Sequence, residues 1–171
     1  GVFPIETRLI GEFNVYNISP GLSPDGNLIM YLSTRDLFAI DLYLADARTG
    51  KIKKKITETA IDPEFESLQF IKSAGAWSPD GGRFVFGAVS KGRPILSIYD
   101  VARDKVSGEI PFDDIDEIYS PSFSPDGRRI AFSGLSKGQT DLFIYDLETK
   151  SLRRLSEDFF ADLQPAWSPD G

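Results

Sequence analysis

The sequence predicts an all-β fold of four-stranded antiparallel sheets repeated along the chain. Three observations carry that prediction. The tetrapeptide Ser-Pro-Asp-Gly occurs four times, at Ser23–Gly26, Ser78–Gly81, Ser124–Gly127 and Ser168–Gly171, at intervals of 55, 46 and 44 residues. Short apolar runs flank the first three copies. The distance from the turn serine to the Asp that ends a later strand is nearly constant, at 23, 22 and 22 residues. Self-similarity at such a period marks a repeat architecture, one supersecondary unit per repeat.

Each part of the repeat has a physical reason. Ser-Pro-Asp-Gly suits a type I turn: Ser at the first corner, Pro presetting φ at the second, Asp at the third and Gly at the last. A strand follows each of the first three turns, at Leu28–Ser33, Arg83–Val89 and Arg129–Ser133. One face carries Ile29 and Tyr31, Phe84 and Phe86, Ile130 and Phe132; the other carries Met30, Val85 and Ala131. A sheet with one wet face alternates apolar with polar, so these strands are expected to be covered on both sides. Polar loops at Thr34–Asp36, Ser90–Pro94 and Ser136–Thr140 lead to third strands at 41–46, 95–100 and 141–146. Fourth strands at Lys51–Thr57, Lys105–Ile110 and Ser151–Ser156 are rich in Lys and Arg, as protected edge strands are.

Composition excludes several function classes. Of 171 residues, 19 are Lys or Arg and 26 are Asp or Glu, a net charge of −7. With no basic stripe, nucleic-acid binding is not expected. The chain has neither His nor Cys. A self-contained Ser-His-Asp or Cys-His site is excluded, as are zinc sites built on those ligands. No catalytic residue and no cofactor are expected. No apolar run reaches the roughly 18–20 residues of a spanning helix, so membrane insertion is not expected. The first residue is Gly1, read as a processed or artificial boundary.

Four strands in about 40–45 residues, with aromatics before a tight turn, is the pattern of a β-propeller blade. The segments Pro20–Gly26, Gly75–Gly81, Pro121–Gly127 and Pro165–Gly171 resemble the WD-like repeats of the TolB-like propeller family. Asp141–Asp146 and Leu152–Ser156 strengthen the likeness, and Gly75 departs from it where the other repeats have Pro. The resemblance implies three complete blades (19–57, 74–110 and 120–156), strands of a preceding or partial blade in 1–18, a long acidic connecting loop at 58–73, and the first strand and turn of a further blade at 157–171. It describes an incomplete ring, or arc, finished by missing blades or by further copies of the chain. It also implies an extracytoplasmic, periplasmic setting.

In a propeller, the turn joining strands one and two lies on the face of the turn joining strands three and four. The other face collects Glu58, Asp62, Glu64 and Glu66, then Asp113, Asp114, Asp116 and Glu117, then Glu157, Asp158 and Asp162, with Arg35, Lys91, Arg93 and Lys137 among them. Such a face suits a protein or peptide partner, basic stretches above all. The alternative is that loops are charged because they are solvated. Asp113–Glu117 has carboxylates enough for Ca²⁺ but not the EF-hand spacing or its central Gly. The turn serines lack any nucleophile motif, and the turn aspartates recur in every repeat, so both are expected to be structural. Leu22, Trp77, Phe123 and Trp167 share one position and are expected between blades. Phe159 and Phe160 are read as a plug over a neighbouring blade or an exposed contact patch, the plug being preferred. The function these features suggest is a non-catalytic interaction scaffold; the rival is the propeller portion of a multidomain peptidase.

Overall fold

The structure, a computed structural model, describes residues 15–36, 40–57, 67–68 and 74–171. Within them lie three antiparallel sheets and no helix. The first sheet runs β1 (Asn17–Leu22), β2 (Leu28–Ser33), β3 (Asp41–Asp46) and β4 (Ile52–Lys55), in chain order. In the second, β5 (Ser67–Leu68) and β6 (Ala76–Trp77) both pair with β7 (Arg83–Ser90), followed by β8 (Arg93–Asp100) and β9 (Lys105–Pro111). The third is β10 (Glu117–Phe123), β11 (Arg129–Ser136), β12 (Gln139–Asp146) and β13 (Ser151–Arg154).

The middle strands of the second sheet are apolar on both faces, and a sheet lies on either side of them. Met30, Leu32, Leu42 and Leu44 of the first sheet meet Phe84, Phe86, Ala88, Ile95 and Tyr99 of the second. The opposite face of the second sheet, with Val85, Leu96 and Ile98, meets Ile130, Phe132 and Phe143 of the third. Tyr31, Tyr43 and Ala45 form a separate buried cluster on the first sheet's other face, with the two rings stacked at 5.9 Å. The alternation read from the sequence is therefore a stacking code: odd and even positions address different neighbours.

A clamp at the inner strands repeats from sheet to sheet. In the second and third sheets, the residue two after the turn glycine reaches the aromatic that precedes the next turn. Leu28 and Trp77 pack on the same core. Arg83 lies over the Phe123 ring at 5.1 Å and donates to the Gly127 carbonyl at 2.9 Å. Arg129 lies over the Trp167 ring at 4.9 Å. The two indoles also donate across the gap, Trp77 Nε1 to the Gly21 carbonyl at 2.8 Å and Trp167 Nε1 to the Ser122 carbonyl at 3.0 Å. A guanidinium on a ring face, backed by a carbonyl acceptor, fixes one sheet's angle against the next more tightly than apolar contact alone.

Leu22 does not join this pattern. It is 58% exposed, because no described sheet precedes the first and none supplies a side chain to cover it. Residues 157–171 carry no assigned strand. They nevertheless repeat the local features of an inner strand: the Trp167 bond, a left-handed Gln164 (φ 57°), and the turn bond from Gly171 N to the Ser168 carbonyl at 3.0 Å. Without β-strand neighbours on the far side, the ladder that would define a strand is not there.

The inner strands are bulged, and the bulge explains where the repeats differ. Ser19 and Ser120 adopt left-handed conformations just before Pro20 and Pro121, and register slips there by one residue. In the second sheet this point holds an insertion: seven residues, 69–75, lie between Leu68 and Ala76, where the third sheet has three, 119–121. The stretch 58–73 is thus not one connecting loop, since β5 falls inside it and pairs with β7. Gly75 replaces Pro because its φ is +132°, which Pro cannot adopt. A Cβ there would lie 2.0 Å from the Val85 carbonyl oxygen.

Strand ends also shift from expectation. Within 90–94 and 136–140 the turns are only two residues long, Lys91-Gly92 and Lys137-Gly138, all at positive φ. Two consecutive left-handed residues make a type I′ turn, whose twist lets both strands run to the tip. The first sheet begins at Asn17 and the third at Glu117, both earlier than the turn alignment suggested.

Replacing Gly75 by Ala is expected to cost about 3 kcal/mol from backbone strain and collision. Gly108→Ala, where an added Cβ meets nothing within 4 Å, is expected to change stability by less than about 0.5 kcal/mol. Urea unfolding of both variants checks the contrast.

Candidate functional site

The two ends of the sheets differ in what their polar groups do. At the turn end, each repeat closes the same network. The hydroxyls of Ser23, Ser78 and Ser124 donate to Asp25, Asp80 and Asp126 at 2.5–2.6 Å. They accept from the backbone N–H of Leu28, Arg83 and Arg129, each at 2.9 Å. Each aspartate also accepts from the N–H two residues on, at Asn27, Gly82 and Arg128. These bonds, the serine hydroxyl foremost, hold the three carboxyls below the usual range. The three serines are buried. A hydroxyl already giving its proton to a carboxylate and sealed from solvent has a scaffolding role.

The strand-ending aspartates serve the same end. Asp46 and Asp146 accept from the N–H groups of the following turn, including Thr49 and Thr149 at 2.8 Å. Asp100 does so with Arg103, whose guanidinium returns to it at 2.6 Å. Bonds from Ala47 N to Asn27 O, Val101 N to Gly82 O and Leu147 N to Arg128 O tie the two turns of each sheet together.

The opposite end carries the candidate interaction surface. Phe112 N donates to the Pro94 carbonyl at 3.2 Å, Asp116 N to Leu135 at 2.7 Å and Asp162 N to Thr140 at 2.8 Å. These bonds join the sheet-to-sheet loops with the hairpin tips. Asp113, Asp114 and Asp116 are exposed side by side in one loop, and Glu117 is half-buried as the first residue of β10. Arg93, beginning β8, reaches Asp113 at 3.5 Å across a solvated gap, a pair that contributes little to stability. Lys91 and Lys137 stand exposed on hairpin tips, and Arg35 is half-buried after β2. Asp158 accepts from Phe160 N at 2.8 Å, which turns the loop there; Asp162 is half-buried. Glu58, Asp62, Glu64 and Glu66 lie outside the described residues. Among the described residues, no group of three or more carboxylates is arranged to hold a metal ion.

What pins this surface was missed in the sequence. Phe112 and Ile115 turn inward from the acidic loop and are buried in the core between the second and third sheets. Phe112 packs against Phe132 at 5.3 Å and Tyr145 at 5.8 Å. The signal was present as two apolar residues, three apart, within an acidic run. Phe159 stands at the same distance from its turn serine as Ile115 does, yet it is 94% exposed, and Phe160 is 76% exposed. The plug expected from this pair is not formed in the described structure. Ile115 is covered because sheets flank it on both sides, whereas one sheet adjoins Phe159.

Two cations near this end are committed to buried carboxylates. Asp41 and Asp141 are fully buried at equivalent positions. Lys55 meets Asp41 at 3.0 Å and also binds Asp36; Arg154 meets Asp141 at 2.6 Å and Glu157 at 3.2 Å. Thr57 and Ser156 hydroxyls complete the pattern by accepting from Leu42 N and Leu142 N, each at 3.0 Å. The second sheet has Ile95 at this position and does without the ion pair. Arg154→Met, which strands the Asp141 charge, is expected to cost about 3 kcal/mol, while Asp141→Ile with Arg154→Met recovers to within about 1 kcal/mol of the parent. Thermal unfolding of both variants measures the difference.

Comparison with known proteins follows the same architecture. A family model described as the TolB beta propeller domain matches residues 65–171. A putative TolB from Agrobacterium tumefaciens superposes with a TM-score of 0.72 at 22% identity, over 90% of this chain and 50% of the other. TolB from Acinetobacter baumannii gives 0.68 at 24% identity, over 91% and 36%. The β-propeller domain of the Trilobed protease from Pyrococcus furiosus gives 0.60 at 14% identity, over 85% and 44%. The chain spans half or less of the length of each of these structures. With the family model covering well over half of the chain, the protein belongs to the TolB β-propeller domain family.

Proposed function

We propose that the chain is an arc of a non-catalytic TolB-type propeller that offers its loop face to a protein or peptide partner in an extracytoplasmic compartment. The observation that carries this reading is the division of labour between the two ends. Turn-end hydroxyls and carboxylates are consumed by repeated backbone contacts, whereas Asp113, Asp114 and Asp116 are exposed on a loop pinned by Phe112 and Ile115. A rigid, acidic surface loses little conformational entropy when a basic partner docks, and it steers that partner by charge. The absence of His and Cys from the sequence supports a role without chemistry of its own.

The arc is completed by further sheets of the same kind, from additional blades or from other copies of the chain. The exposed Leu22 at one end and Phe159 at the other support this, since their counterparts inside the stack are covered. A second reading is that the arc belongs to a multidomain peptidase and positions substrate for a catalytic domain elsewhere. The likeness to the protease propeller favours it, and a peptidase motif in a longer parent chain would decide for it.

Two experiments test the proposal. A Lys-rich decapeptide titrated calorimetrically should bind weakly at low salt, and binding should fall at least threefold in Asp113→Asn/Asp114→Asn. A turn-end control, Glu148→Gln, should leave binding unchanged; equal loss in both variants contradicts a loop-face site. Light scattering of the 171-residue chain should show a mass above 19.0 kDa that rises with concentration. A compact 19.0 kDa monomer that unfolds cooperatively contradicts completion by further sheets.

A further inference from the structure

We draw no further inference here: the strongest candidate, the exposed Phe159–Phe160 pair on the loop after the third sheet, matches the inter-sheet Ile115 by position, and nothing in the structure shows what covers it.

Discussion

The second sheet cannot bury both faces of its own middle strands. Phe84 and Phe86 project from β7 to one side and Val85 to the other, and β8 continues the pattern with Ile95 and Tyr99 against Leu96 and Ile98. A single sheet would leave one of these faces in water, at roughly 25 cal/mol for each Å² of apolar surface exposed. Stability therefore resides between the sheets. Repeat proteins share this property: each unit gains most of its stability from its neighbours. The Arg83 and Arg129 clamps act at the same boundaries, over the rings of Phe123 and Trp167.

That dependence divides the chain into residues that serve the stack and residues left free. Ser and Asp of the first three turns, and the aspartates that end the third strands, satisfy backbone groups that would otherwise be unpaired. Their polarity is consumed locally. The loop between the second and third sheets is bound by fewer such demands, and only its Phe112 and Ile115 enter the core. The carboxylates of Asp113 and Asp114, between those anchors, face solvent. One fold hosts many functions, so family membership fixes the architecture and leaves the function open.

Much of this was legible in the sequence because it repeats. The turn spacing located the middle strands, the two-sided apolar pattern required stacked sheets, and the recurrence of the turn aspartates argued against a unique site. What escaped was set by single contacts. Strand length at Lys91-Gly92 and Lys137-Gly138 depends on two left-handed residues in succession, which a polar triplet does not announce. The split of the second inner strand into β5 and β6 follows from an insertion at a bulge, and length alone could not distinguish that from a longer loop. The inward turn of Ile115 and the exposure of Phe159 reflect which sheets lie alongside, a property of the neighbours rather than of either residue. The carboxylates at Glu58, Asp62, Glu64 and Glu66 lie outside the described residues, whereas Asp113, Asp114 and Asp116 are exposed in one loop.

The claim that burial between sheets organises the fold is tested most directly by native-state hydrogen exchange, which reports opening free energy segment by segment. β8 is buried along nearly its whole length between two sheets, whereas Leu142 and Ile144 of β12 are only half-buried. The account predicts slowest exchange in β7 and β8, faster exchange in β12, and faster still in β13. Equal protection in β8 and β12, or greater protection in β12, would contradict it.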